Sequence, residues 1–98
     1  MPRYDVYSNP GGGYVLDVQA DLLDDLKTRI VIPLIVKALA PIPAKRLNPG
    51  FEIEGEEYVL VTQFMAAIPV SALKNPVTNL SDSHIEIVSA LDMAFHGF

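Results

Sequence analysis

The sequence predicts a mainly β, antiparallel protein that finishes on one α-helix, and three observations lead there. Runs of β-branched and aromatic residues recur between clusters of Gly, Pro and Asn, which is the pattern of strands separated by turns. Residues 51–54, Phe-Glu-Ile-Glu, alternate apolar and acidic, as a strand with one wet face does. From Ile87 onward, apolar residues return at helical rather than alternating spacing. A length of 98 residues allows one domain, spanning 1–98, with a core of limited size.

Taken in order, residues 4–7 and 14–18 are β-prone and flank Asn9-Pro10-Gly11-Gly12-Gly13, so a hairpin is expected across the glycines. Asp21-Leu22-Leu23-Asp24-Asp25-Leu26 is too short for a long helix. It reads as a turn, or one helical turn, displaying Leu22 and Leu23. Residues 28–36 are the most apolar run, with Arg29-Ile30-Val31-Ile32 a strong strand. Pro33 then removes a ladder donor, so the strand should lie at an edge there, bulge or change sheet. Residues 40–50, with Pro41, Pro43, Pro49 and Gly50, form a stiffened loop. Residues 51–54 and 58–64 make a second hairpin around Gly55-Glu56, and 67–70 a short extended piece interrupted by Pro69. Ser81 is the expected N-cap of the last helix, Asp82 suits its positive end, and Ile87, Leu91, Ala94, Phe95 and Phe98 share its apolar spacing.

Composition narrows the function. The net charge is −5, from seven basic and twelve acidic residues. Nucleic-acid binders draw much of their affinity from Lys and Arg on phosphates, so this balance argues against an RNA-cutting or DNA-binding groove and suits a basic partner. There is no cysteine, hence no disulfide framework or thiolate metal site. No stretch reaches the roughly 18 apolar residues of a membrane span, and residues 1–7 lack a signal core, so a cytoplasmic location is expected. Half of the residues are apolar and only 19% are charged, which leaves apolar surface for a partner.

No enzyme motif is present. Gly11-Gly12-Gly13 lacks a following Lys-Ser/Thr and sits in a hairpin. His84 and His96 are separated by about three helical turns, roughly 18 Å, too far to share a ligand; each reads as a surface histidine. No metal and no cofactor is expected. Glu52, Glu54 and Glu56, placed on one strand face with Glu57 beside them, would serve a cation or basic partner, or only keep a sheet face solvated. Asp21, Asp24 and Asp25 read as a functional acidic patch or a solvated turn. Arg29 and Arg46 read as catalytic in a ribonuclease, or as structural or surface ion-pair residues. Phe95 and Phe98 either finish a core or dimer face, or make a tail-end contact with another protein.

Asp17-Val18-Gln19-Ala20-Asp21-Leu22-Leu23 with Arg29-Ile30-Val31-Ile32-Pro33-Leu34 resembles the N-terminal signature of the CcdB toxins. Thr62, Met65-Ala66, Ile68-Pro69-Val70-Ser71 and Leu73 resemble the family's middle. Asn79-Leu80-Ser81 and Phe95-His96-Gly97-Phe98 resemble its end. The resemblance runs in the same order over nearly the whole chain. It implies a compact CcdB/MazF-like antiparallel β-barrel-type sheet with a small second sheet and a C-terminal α-helix. It also implies a homodimer that is no enzyme but a topoisomerase poison: a DNA gyrase inhibitor binding the A subunit of DNA gyrase and trapping the enzyme on cleaved DNA. A CcdA-like antitoxin would neutralise it, and the two together would repress their own operon, so DNA is met only through the antitoxin complex. Plasmid maintenance is the associated role.

By the same resemblance, the gyrase-binding residues fall on Leu22 and Leu23, and on Asp92, His96, Gly97 and Phe98. The family pattern at the end is Asn, then Phe-Trp-Gly-Ile. Phe95 and Gly97 match, while Asp92, His96 and Phe98 depart from it. The family Trp stacks on a gyrase arginine, adding area and cation–π attraction; losing an aromatic hot spot of this kind commonly costs about 2 kcal/mol or more. The alternatives are a non-toxic or retargeted homologue that keeps antitoxin binding and autoregulation, and a MazF-like ribonuclease.

Overall fold

The computed structural model describes residues 2–97. Strands β1 (Asp5–Ser8) and β2 (Tyr14–Asp17) form the expected first hairpin, with Val6 opposite Leu16 and Tyr7 opposite Val15. Asn9 shapes its turn: its carbonyl accepts from Gly12 N–H at 2.8 Å and its side chain from Gly11 N–H at 3.2 Å. Gly13 is required there. Its φ is +71°, and a Cβ would come within 2.5 Å of the Leu34 carbonyl oxygen.

Strand β3 (Thr28–Val36) is the spine of the sheet. Along one edge it pairs β2, and along the other it has two successive partners: β6 (Ala66–Pro69) beside its first half and β5 (Glu56–Leu60) beside its second. Pro33 sits at the changeover, where its carbonyl accepts from Val61 N–H at 3.0 Å. Groups of one residue in an antiparallel ladder face the same neighbour, so the donor that proline lacks would have pointed into the gap between β6 and β5. The expected break at Pro33 is therefore an exchange of partners within a continuous strand.

β4 (Gly50–Ile53) pairs β5 around Glu54-Gly55, and β7 (Thr78–Asn79) pairs β1, giving the order β4-β5-β3-β2-β1-β7 with β6 branching from β3. The sheet is antiparallel, nearly closed and barrel-like; among the described residues β6 belongs to this same sheet, so the expected small second sheet is a branch of the first and not a sheet of its own. Helix α1 (His84–His96) follows. No helix among the described residues is long and apolar enough to cross a membrane.

Alternation divides the burial between two faces. One face holds Val6, Leu16, Ile32, Leu34 and Leu60, with Ile87 of α1 packed among them. The other holds Tyr7, Val15 and Val31 under Leu73. This second face also buries Asp5, Asp17 and Arg29, and among the described residues every buried side-chain N or O has a partner.

Three expectations are corrected. Residues 62–64 do not continue the strand: β5 stops at Leu60, and Thr62–Phe64 is a 3-10 turn. Side chains hold that turn in place. Thr62 Oγ1 donates to the Leu47 carbonyl, and Asn48 Nδ2 donates to the Leu60 carbonyl at 3.0 Å and to Gln63 Oε1 at 2.9 Å. Ser81 does not cap α1. It opens a 3-10 turn, Ser81–Ser83, and its own N–H is the orphan donor, satisfied by Asn79 Oδ1 at 2.8 Å. The apolar spacing of α1 buries Ile87 and Ala90 and part of Leu91, whereas Ala94 and Phe95 are exposed beside an open recess that separates them from Leu47, Thr62 and Met65.

Candidate functional site

The connection from β2 to β3 carries a 3-10 turn, Asp21–Leu23, in which no residue is buried. Leu22 is 97% exposed and Leu23 48%, so the display of two leucines expected from the sequence is present. Leu26, at 50% exposed, extends the apolar surface. Beside it an open recess of about 510 Å³ is lined by Asp24, Leu26, Lys27, Pro69, Val70 and Ser71.

What holds this turn lies on the second face of the sheet. Arg29, with no exposed surface, makes two hydrogen bonds to Asp17: Nε to Oδ2 at 2.8 Å and an Nη2 donor to Oδ1 at 3.0 Å. Its Nη1 donates to Asp24 Oδ1 at 2.5 Å. Paired forks of this kind are among the strongest hydrogen bonds in proteins. Burial alone would pull the Arg29 guanidinium down, but Asp17 and Asp24 lift its pKa above the ordinary value. Neighbouring Tyr7 is buried beside Asp5 and Asp17, and burial, then those carboxylates, push its phenol to about 12. Arg29 is thus a structural ion-pair residue. Asp21 and Asp24 are exposed yet engaged, Asp21 Oδ1 accepting from Arg3 N–H at 2.8 Å. Arg46 is exposed and donates to Ser89 Oγ at 3.0 Å.

The second candidate region is the end of α1. Gly97 closes the helix in the left-handed conformation, φ +78°, and its N–H donates to the Met93 carbonyl at 3.1 Å. Asp92 and His96, four residues apart, share one exposed face of the helix, with Phe95 beside them at 66% exposed. A recess of about 460 Å³ lies under this end, lined by Leu47, Thr62, Gln63, Met65, Met93, Ala94 and Phe95. Phe98 falls outside the described residues. Within one chain, then, Asp92, His96 and Gly97 come together, and Leu22 and Leu23 come together. The recesses beside the two groups share no residue.

The glutamates do not share one face as expected. The chain reverses at Glu54-Gly55, both with positive φ, so Glu52 stands opposite Glu57 and Glu56 opposite Ile53. Glu57 meets Lys37 at 3.5 Å. His84 is more than a solvated histidine, since its Nδ1 lies 2.6 Å from the Tyr4 hydroxyl. Among the described residues no three His, Asp or Glu side chains converge as a metal would require.

Gln19 is the residue that sequence reasoning passed over. It is 4% exposed, with Oε1 accepting from Ile30 N–H at 3.1 Å and Nε2 donating to the Leu23 carbonyl at 2.9 Å. The available signal was its position, two residues beyond β2 and four before a displayed leucine. The family model described as "CcdB protein" matches residues 3–97. That span contains the leucine turn, the ion pair behind it and the helix end through Gly97, and the chain belongs to the CcdB family, the toxins of toxin–antitoxin pairs.

Proposed function

We propose that this chain binds the A subunit of DNA gyrase, holds the enzyme on cleaved DNA, and is released by a CcdA-like antitoxin. The observation that carries this reading is the exposed pair Leu22 and Leu23, at 97% and 48%, at the position where the family resemblance puts a gyrase contact. A large apolar side chain held fully in solvent gains nothing in the free protein and gains by burial against a partner. The helix end around Asp92, His96 and Gly97 supplies the second contact, with Phe98 beyond it.

The mechanism is selective binding. A ligand shifts a cycling enzyme toward whichever state it binds more tightly, by no more than the difference in affinity. A toxin fitting only the DNA-cleaved state stalls gyrase there, and the chemistry remains gyrase's own. The toxin acts as a homodimer in the cytoplasm, and with its antitoxin represses its operon.

Asp92 and His96 favour a second reading, a homologue retargeted away from this contact. An imidazole covers less of an arginine than an indole does, and a carboxylate buried unpaired at an interface is costly. Gyrase, supercoiled plasmid and ATP separate the two when the products are examined after detergent and protease. Linear DNA from the native chain is the expected result. Linear DNA from His96→Trp alone would leave the docking mode intact and move the native chain to the retargeted class, and linear DNA from neither would end the gyrase reading.

A further inference from the structure

The strand ladder between β2 and β3 stops one residue short of where its geometry would carry it. Val18 N–H donates to the Ile30 carbonyl at 3.0 Å, so Ile30 N–H faces β2 as well and should meet the Val18 carbonyl. That carbonyl accepts instead from Arg3 Nε at 3.1 Å. Ile30 N–H is satisfied by Gln19 Oε1. The Gln19 amide stands in for a strand, and its other end is free to reach beyond the sheet, where Nε2 donates to the Leu23 carbonyl. Only one orientation of the amide, oxygen toward Ile30 and nitrogen toward Leu23, satisfies both groups.

Side chains from outside the connection tie the turn to the body. Its own bonds, Leu23 N–H to Ala20, Asp24 N–H to Asp21 and Leu26 N–H to Leu23, run between residues of the same connection and set its shape. They do not set its angle to the sheet. Bonds from outside that reach residues 21–24 include Gln19 to Leu23, Arg29 to Asp24, and Arg3 to Asp21. No residue of the turn itself is buried to add packing. Gln19 and Arg29 are both buried, at 4% and 0% exposed, and so out of reach of a partner.

We propose that Gln19, together with the Arg29–Asp24 bond, is a positioning device that holds Leu22 and Leu23 in their displayed arrangement and so sets affinity for the protein that covers them. A loop already ordered in its bound shape avoids that ordering cost on association, while a loose one loses affinity without losing a contact. The inference rests on the gyrase-contact reading of the leucines.

Gln19→Glu is the discriminating variant. It keeps an acceptor for Ile30 N–H and removes the donor to Leu23, so the ladder survives and the tether does not. Hydrogen exchange of the free protein should show a larger acceleration at residues 21–24 than in the strands, whose exchange reports any general loss of stability from the buried carboxylate. Binding to the purified gyrase A subunit should weaken about tenfold. In a Leu22→Ala background the same substitution should cost little further, because it acts through the leucine. Asp24→Ala should act in the same direction.

Unchanged exchange in Gln19→Glu, or unchanged affinity while Leu22→Ala binds poorly, overturns the positioning role and leaves the leucine contact standing. Full additivity of Gln19→Glu and Leu22→Ala also overturns it. Unchanged binding by Leu22→Ala overturns the gyrase-contact reading, and the positioning role in gyrase binding with it.

Discussion

Two of the regions that put apolar side chains into solvent, the leucine turn and the end of α1, are built in opposite ways. The leucine turn takes its shape from short-range bonds of its own and is fastened to the sheet by buried polar side chains, above all Arg29 and Gln19. The end of α1 is fastened by its own main chain, continuous from His84 and closed by the Gly97 cap, with Ile87 and Ala90 anchoring the helix upstream. A display of the first kind is encoded in residues that are distant from it and polar. A display of the second kind is encoded locally, in helical periodicity and one glycine. The first should therefore fail when the core is altered, and the second when its own residues are.

The largest effect expected from this contrast is at the ion pair. Arg29→Met leaves Asp17 buried and uncompensated and should cost about 3–5 kcal/mol in urea unfolding. Pairing Arg29→Met with Asp17→Leu should recover most of that loss, since replacing both charges with apolar groups is often neutral. The recovered double variant still lacks the tie to Asp24, so its turn should exchange rapidly on a stable fold. An Arg29→Met midpoint equal to that of the native chain would show that the turn and the core are not coupled.

A smaller effect follows from Tyr7 on the same buried face. Its phenol is raised to about 12 in the folded chain from an ordinary value of about 10, so the folded state holds this proton more tightly than the unfolded chain. The contribution is complete below pH 10 and is lost as the pH rises from about 10 to about 12, a fall of up to about 3 kcal/mol. Tyr7→Phe should flatten that limb of the stability–pH curve. A native curve and a Tyr7→Phe curve of equal slope would argue against strong burial of charge on this face.

At the other region the effect is smaller still. Gly97→Ala should cost about 1 kcal/mol of helix stability, read by circular dichroism, because an L-residue at φ +78° is strained. Among the described residues nothing beyond its chain neighbours lies within 4 Å of the added Cβ, so the penalty is one of backbone conformation. The leucine turn should not respond at all to this change.

The same contrast explains what was legible in the sequence. Periodicity and turn chemistry announced both hairpins, the strand through Ile32 and the terminal helix, because each depends on neighbours in the chain. The Leu22–Leu23 display was legible too, as leucines between carboxylates have nowhere nearby to hide. What was not legible depended on distant partners. Arg29 occupies a strand position that looks like a surface arginine until Asp17, twelve residues earlier, is brought beneath it. Thr62–Phe64 looks like strand, and only Leu47 and Asn48 from the proline loop turn it away. Ser81 has the chemistry of a cap, but Asn79 reaches the first orphan amide before it.

The smallest effect on the fold belongs to the residue expected to matter most for function. Leu22 is 97% exposed and belongs to neither hydrophobic cluster. Leu22→Asp should therefore change unfolding stability by no more than about 0.5 kcal/mol. In cells the same substitution should abolish growth arrest, because a carboxylate forced into an apolar contact is desolvated without a partner. The two measurements have to be made on one variant. A loss of toxicity accompanied by a large loss of stability would mean that Leu22 supports the fold, and the contrast between a turn held from within and a surface offered outward would not stand. Loss of toxicity on an intact fold would locate the action of this toxin in a side chain that the folded chain itself does not need.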